Sequence, residues 1–167
     1  FLKKLKWNES WLNYIINLLV SERVVKEYDG GYVLNNFEIK LTDQDDRDLN
    51  NIKSLLESFK NKPFLSKEII SKFSLKPKRV SDLLFLLRNE GEIEFIGQDF
   101  WLDKNSLNKV ISDVKSHFNL KKELSVNKFK SITGLSRKTA IPLLEYFDSK
   151  KLTLRSNNMR LKGEKLI

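Results

Sequence analysis

The chain has 167 residues, 40% hydrophobic and 32% charged, with no cysteine and a net charge of +9. That length accommodates one large domain or two to three small ones, and the missing cysteines exclude disulfides and cysteine-ligated zinc. The longest apolar region, Trp11 to Val20, is interrupted by Asn13 and Asn17 and falls short of a membrane span.

The opening FLKKLKWNESW lacks the long apolar core and small-residue cleavage site of a signal peptide. It also starts without Met or an evident cap, which suits a piece excised from a longer protein. Residues 10–20 place Trp11, Leu12, Ile15, Ile16, Leu18 and Leu19 at helical spacing, with Ser10 as the expected cap. Arg23 to Glu27 and Tyr32 to Leu34 read as a hairpin around Asp29-Gly30-Gly31. Residues 35–42 read as a connector.

Asp43, Asp45, Asp46 and Asp48 follow. A calcium loop counted from Asp43 needs Gly at its sixth position and Glu at its twelfth, where Asp48 and Ser54 stand. The acids are therefore expected to open a helix of about Asp46 to Phe59, favoured there by its dipole. A short helix is expected near Ser66 to Phe73 and a third from Pro77 to Asn89, ended by Gly91. Strands are expected on either side of Gly97-Gln98-Asp99. Trp101 on the second of them is expected to be core or interface packing.

The remaining chain repeats this order. Leu107, Val110, Ile111, Val114 and Phe118 mark a first helix, and Ser125 to Ile132 a second, closed by Gly134. Ser136 is placed to cap a third, which begins with Arg137 and Lys138. Leu152 and Leu154 then alternate with Thr153 and Arg155, a turn runs through Ser156, Asn157 and Asn158, and Met159-Arg160-Leu161 returns. A shift of 59 residues lays Phe85 on Leu144, Ile93 on Leu152, Phe95 on Leu154, Phe100 on Met159 and Leu102 on Leu161. A shift of 68 lays Leu18, Val25 and Leu34 on Leu86, Ile93 and Leu102.

Helix, helix-turn-helix and β-hairpin is the winged-helix order, and a period near 59 implies units with their own cores. The expected fold is α+β, mainly α: tandem winged-helix domains over 41–103 and 104–167, preceded at 1–40 by the third helix and wing of another.

Catalytic signatures are missing. There is no GxxxxGK[ST] phosphate loop and no GxGxxG fingerprint. His117, the only histidine, has no partner for a metal site or a triad. Glu92 and Glu94 read as two surface acids on one strand face. Glu145 and Asp148 are placed for local ion pairs with Lys150 or Lys151. No active site, metal or cofactor is expected, and the chain is not read as an enzyme.

Charge placement points instead to a polyanion. Residues 1–103 hold 16 Lys+Arg against 17 Asp+Glu, and residues 104–167 hold 15 against 5. The whole excess sits in the last unit. There Arg137 and Lys138 oppose the dipole of the helix they start. Lys128 and Lys130 lie on the second helix, and Arg155 and Arg160 on the wing strands. Ser136, Asn157 and Asn158 add short polar groups able to reach sugar hydroxyls or base edges. Arginine's planar fork suits phosphate. The middle unit has Lys76, Lys78 and Arg79 at the matching helix start but no arginine at its wing tip, and is expected to bind more weakly, if at all. Basic residues spread over helices, turn and strands do not form the single amphipathic face that a membrane surface requires. A DNA-binding transcription regulator and a protein-docking array are the competing readings.

The segment GLSRKTAIPLLEYFDSKKLTLRSNNMRL closely resembles the terminal winged helix of the bacterial selenocysteine-specific translation elongation factor family. Gly134, Arg137, Lys138, Ala140, Ile141, Leu144, Glu145, Tyr146, Phe147 and Asp148 carry the resemblance. It is strong over 133–161 and architectural before residue 100. It implies that the chain is the end of the second and all of the third and fourth of four winged helices. It further implies that the last unit holds the selenocysteine insertion hairpin of messenger RNA, through Arg137 and Lys138 at the helix start and Arg155 and Arg160 on the wing. The other implied properties are a cytoplasmic setting, a monomer, and contact with the ribosome through the full-length factor, whose GTP-binding part lies N-terminal to these residues. Two positions depart from the family pattern. Leu154 stands where a wing arginine is usual, and Asn157 replaces the common turn glycine.

Overall fold

The computed structural model describes residues 8–28, 31–37, 41–59 and 62–166, in two compact units, residues 1–42 and 43–167. The first unit holds helix α1 (Glu9–Ser21) and the antiparallel strands β1 (Val25–Tyr28) and β2 (Gly31–Leu34), paired from Val25↔Leu34 to Tyr28↔Gly31. The expected turn residues Asp29 and Gly30 lie outside the described residues. The cap of α1 is Asn8, whose Oδ1 accepts from the Ser10 amide at 2.8 Å, so Ser10 is inside the helix and not its cap. None of residues 8–27 and 31–37 is buried; Trp11 is 64% exposed and meets Tyr14 edge-on.

The second unit contains two complete winged helices. The first runs α2 (Asp43–Ser58), β3 (Phe64–Leu65), α3 (Ser66–Phe73), α4 (Pro77–Asn89), β4 (Ile93–Gly97) and β5 (Phe100–Asp103). The second runs α5 (Lys104–Leu120), β6 (Glu123–Ser125), α6 (Val126–Thr133), α7 (Arg137–Ser149), β7 (Thr153–Ser156) and β8 (Met159–Lys162). Each wing is a three-stranded antiparallel sheet, β3-β5-β4 and β6-β8-β7. The strands β3 and β6 are two and three residues long and abut the following helix, too short for a periodicity signal.

Ile52, Phe64, Ile69, Val80, Leu83, Leu84, Leu87 and Ile93 centre the first core. Trp101 leans on it and stacks obliquely on Phe95 at 5.0 Å, as the sequence indicated. The second core gathers Leu107, Val114, Leu124, Phe129, Ala140, Leu143, Leu144 and Phe147, and also Ile96, Phe100 and Leu102 from the neighbouring wing. No linker separates the two. Asp103 ends β5 and is at once the N-cap of α5, its carboxylate accepting from the Ser106 amide at 2.7 Å.

The repeat is offset by 60 residues through the second and third helices and first wing strands, and by 59 only from Gly97 onward. The extra residue is Ile96, where the β4–β5 ladder bulges between Phe95 and Gly97. The bulge turns Ile96, 3% exposed, into the core of the following unit. A uniform shift of 59 therefore misplaces the last unit's inner face. Ile93 corresponds to Thr153, not Leu152, and Phe85 to Glu145, not Leu144. Thr153 and Arg160 are buried, whereas Leu154 is 61% exposed.

Candidate nucleic-acid interface

Helix α7 starts at Arg137 behind Ser136, whose φ of −67° and ψ of 161° suit an N-cap. Its hydroxyl does not cap the helix, however, and meets the Thr139 hydroxyl at 3.1 Å instead. The helix is anchored by buried Ala140, Leu143, Leu144 and Phe147, which leaves Arg137 and Lys138 exposed at its positive end. Helix α6 is capped by Ser125, whose hydroxyl accepts from the Lys128 amide at 3.1 Å, and is pinned by fully buried Phe129. Lys128 is exposed and Lys130 half-buried on it. The wing turn is made by Asn157 at φ 53°, a left-handed conformation that asparagine tolerates better than most residues, so it serves where a glycine would.

Between α7, the start of α6 and the wing lies a cleft of about 500 Å³. Five of the nine residues singled out from the sequence line it: Arg137, Arg155, Asn157, Asn158 and Arg160. Ser136, Lys138, Lys128 and Lys130 do not. Its floor is apolar, from Val126, Ile141 and Met159, and Ser125, Asn127 and Glu145 complete the wall. These six carry no compositional signal of their own. Only the approach of three separate elements brings them together.

The three arginines differ. Arg155 and Arg160 are register partners on β7 and β8. Arg155 is exposed, and neither it nor Arg137 nor Lys138 makes an ion pair among the described residues. Arg160 is 4% exposed and bound to Asp148 through Nη2 and Nε, each 3.3 Å from Oδ2. The other Asp148 oxygen accepts from the Thr153 hydroxyl at 2.5 Å. Asp148 thus joins α7 to both wing strands, rather than pairing with Lys150 or Lys151. Lys151 pairs with Glu164 at 2.9 Å, and the Lys150 ammonium sits 5.4 Å from the Tyr146 ring centre.

At the matching helix start in the middle unit two of the three cations are paired, and Lys76 is exposed. Arg79 pairs with Asp45 of α2 and Lys78 with Asp82 at 3.2 Å. The acids that open α2 therefore do more than match its dipole, since Asp45 is a buried counter-ion. The middle wing tip is engaged as well. Asp99 accepts from the Ser66 hydroxyl at 2.8 Å, and Gln98 donates to Glu145 of α7 at 3.1 Å. Glu92 and Glu94 are likewise paired, the first with Lys53 at 3.6 Å and the second with Lys104 at 3.0 Å. Burial, with the Glu94 carboxylate next and Arg88 opposing, pushes the Tyr146 phenol up to about 12. His117 donates from Nε2 to the Glu123 carbonyl at 2.9 Å. Among the described residues there is no cluster of metal-ligating side chains, and no helix is long and apolar enough to cross a membrane.

Two complete winged helices in series, the last of them cationic, make this a tandem winged-helix protein. Residues 116–161 match the family profile described as elongation factor SelB, winged helix. The chain is 33% identical over 98 residues to the selenocysteine-specific elongation factor of Desulfomicrobium baculatum, a match that covers 59% of this chain but only 16% of the relative. Among solved structures it resembles the mRNA-binding domain of elongation factor SelB from E. coli in complex with SECIS RNA. That likeness has a TM-score of 0.63 at 18% identity, over 74% of this chain and all of that one. It also resembles a bacterial selenocysteine-specific elongation factor, EF-Sec, with a TM-score of 0.57 at 25% identity, over 98% of this chain and 25% of that one.

Proposed function

We propose that the cleft of the last winged helix binds an unpaired loop of an RNA hairpin. The hairpin is the selenocysteine insertion element of a messenger RNA, and the chain tethers an elongation factor to that message for selenocysteine incorporation at UGA codons. The observation that carries this reading is the cleft itself. It has unpaired Arg137 and Arg155 for phosphate, carboxamides from Asn127, Asn157 and Asn158 for base edges, and an apolar floor for a base face. Sequence-specific RNA recognition of this kind targets unstacked bases, because the A-form major groove is too deep and narrow for side chains. The E. coli neighbour, described as bound to SECIS RNA, supports the same reading.

In this proposal residues 104–167 are the binding domain and 41–103 a spacer whose Arg79 and Lys78 are spent on Asp45 and Asp82. Residues 1–40 belong to a preceding winged helix. The region performs no catalysis itself, and reaches the ribosome as part of a longer factor. Titrating the chain with an RNA stem-loop and with duplex DNA of equal length tests it. Clear preference for the stem-loop is expected, and equal affinity for both would sink the RNA assignment.

A further inference from the structure

The cleft uses only part of the charge carried by residues 104–167. Helix α5 lies outside it, since none of its residues lines the cleft. Its inner side is fixed in the core by Leu107, Val110 and Val114. On its outer side Asn108, Lys109, Ser112, Lys115, Ser116 and Asn119 are all exposed. Their spacing sets them on one face, about 16 Å long. The only acid of α5, Asp113, is half-buried at the edge of that face. The first helix of the middle unit, α2, exposes Asp43, Asp46 and Glu57 instead, so an acid-free outer face is not a property of the fold. Nor does helix stability favour it. Serine and asparagine are poor helix formers because their side chains compete for backbone hydrogen bonds, and at exposed positions packing does not dictate them.

The face runs into further cations. Lys121 and Lys122 follow the helix, and both are exposed. The register Glu123↔Leu161 continues outward to set Lys122 opposite Lys162. Like charges directly opposite one another are destabilising by themselves, and an anion between them would relieve this. The dipole of α5 favours Lys121 and Lys122 at its C-terminal end but accounts for neither Lys109 nor Lys115. None of these lysines makes an ion pair among the described residues.

We propose that this face of α5, continued by Lys121, Lys122 and Lys162, is a second RNA-binding surface, one that reads the backbone of an A-form duplex. An A-form helix presents a wide, shallow minor groove lined by 2′-hydroxyls and flanked by phosphates. A polar helix face can lie against it, with serine and asparagine exchanging hydrogen bonds with the hydroxyls and lysines reaching the phosphates. Such contacts recognise shape and sugar, not sequence. The surface differs in this from the cleft, which takes an unpaired loop, and it stands whether or not the loop reading does. A membrane fits it poorly, because the apolar side of α5 is spent on the core and Leu120 is its one exposed apolar residue. Two sources offer this ligand: the stem of the hairpin held in the cleft, and a separate RNA.

The probe is a labelled, loopless RNA duplex of about 16 base pairs, long enough to present two minor grooves, beside the DNA duplex of the same sequence. The whole chain should bind the RNA duplex about ten-fold tighter. Ser112→Glu puts a carboxylate at the centre of the face and a better helix former in place of a poorer one, so the fold is kept. It should weaken RNA-duplex binding about ten-fold. Lys109→Gln with Lys115→Gln should lower the salt dependence by about 0.9 per lysine. Lys67 and Lys72 of α3 are exposed and make no ion pair among the described residues. Changing both to Gln removes the same net charge and should leave duplex binding alone. Equal affinity for the two duplexes, undiminished binding by Ser112→Glu, or equal losses in the two lysine pairs overturns the proposal. Anionic lipid vesicles that bind the chain where the RNA duplex does not would overturn it in favour of a membrane. A final arm tells the sources apart. Duplex that joins a chain already saturated with a short-stem hairpin supports a separate RNA. Duplex displaced by a long-stem hairpin but not by a short-stem one supports the hairpin's own stem. A chain that binds the duplex but no hairpin fails the loop reading alone.

Discussion

Asp148 and Arg160 bind across the junction between the third helix and the wing of the last winged helix, with Nε and Nη2 of the arginine both 3.3 Å from one carboxylate oxygen. The arginine is 4% exposed and the aspartate 21%, so the pair is unequal in its access to water. Removing the aspartate strands a buried guanidinium and frees the Thr153 hydroxyl. Removing the arginine leaves a carboxylate that still has Thr153 and some solvent. Asp148→Ala is expected to cost about 2–3 kcal/mol of stability, and Arg160→Met about 1 kcal/mol or less. Urea denaturation of the two variants checks the order. RNA affinity lost in Arg160→Ala should accompany lost stability, which separates it from the other arginines.

Arg137 and Arg155 are exposed and make no ion pair among the described residues, so their truncation should leave the fold intact. Each alanine variant is expected to weaken hairpin binding by about 1–3 kcal/mol if the arginine reads a base. If it meets phosphate only, the salt dependence should fall by about 0.7 per charge removed for single-stranded RNA. Titrations at several salt concentrations give both quantities.

Arg79 should behave in the opposite way. Its guanidinium is committed to Asp45, which is 11% exposed, so Arg79→Ala removes a cation from beside a nearly buried carboxylate. A loss of about 2–4 kcal/mol in stability is expected, with hairpin affinity unchanged wherever the chain remains folded. Melting curves and titration on the same sample test the pair of outcomes.

Tyr146 gives the chain an alkaline limit. Its folded-state value is raised to about 12 from 10.0, first by burial. The unfolded chain therefore releases this proton first as pH rises. The stability it contributes is fully present below pH 10 and is lost as pH climbs towards 12. Tyr146→Phe should flatten the fall in stability over that window and remove a component near pH 12 from the tyrosinate absorbance titration.

Much of this was legible in the sequence because helices with a clear apolar face and a distinct stop declare themselves. Ser66–Phe73 and Pro77–Asn89 have the bounds their spacing and flanking residues indicate. The wings were less legible. Leu152 and Leu154 alternate with Thr153 and Arg155, yet Leu154 is exposed while Thr153 and Arg160 are inside, where Asp148 supplies their hydrogen bonds. A polar pair can be core only if a third residue satisfies it, and nothing local in the sequence says that it will. The bulge at Ile96 hid the true offset of the repeat in the same way. The cationic helix start and wing were readable as chemistry, but their division into free and committed arginines was not. Asp45 and Asp148 lie 34 and 12 residues from the arginines they hold.

Asp103 has a consequence for how this chain can change in length. Surface connections commonly absorb insertions and deletions. Here the connection between two winged helices is a single residue that closes a strand and caps a helix. One residue added after it would rotate α5 by about 100° about its axis. Leu107, Val110 and Val114 would swing away from the core they share with Ile96, Phe100 and Leu102. The turn at Asn157 and Asn158 can lengthen without that penalty, so natural length variation should gather there, and the two winged helices should be duplicated, lost or transplanted only as a pair.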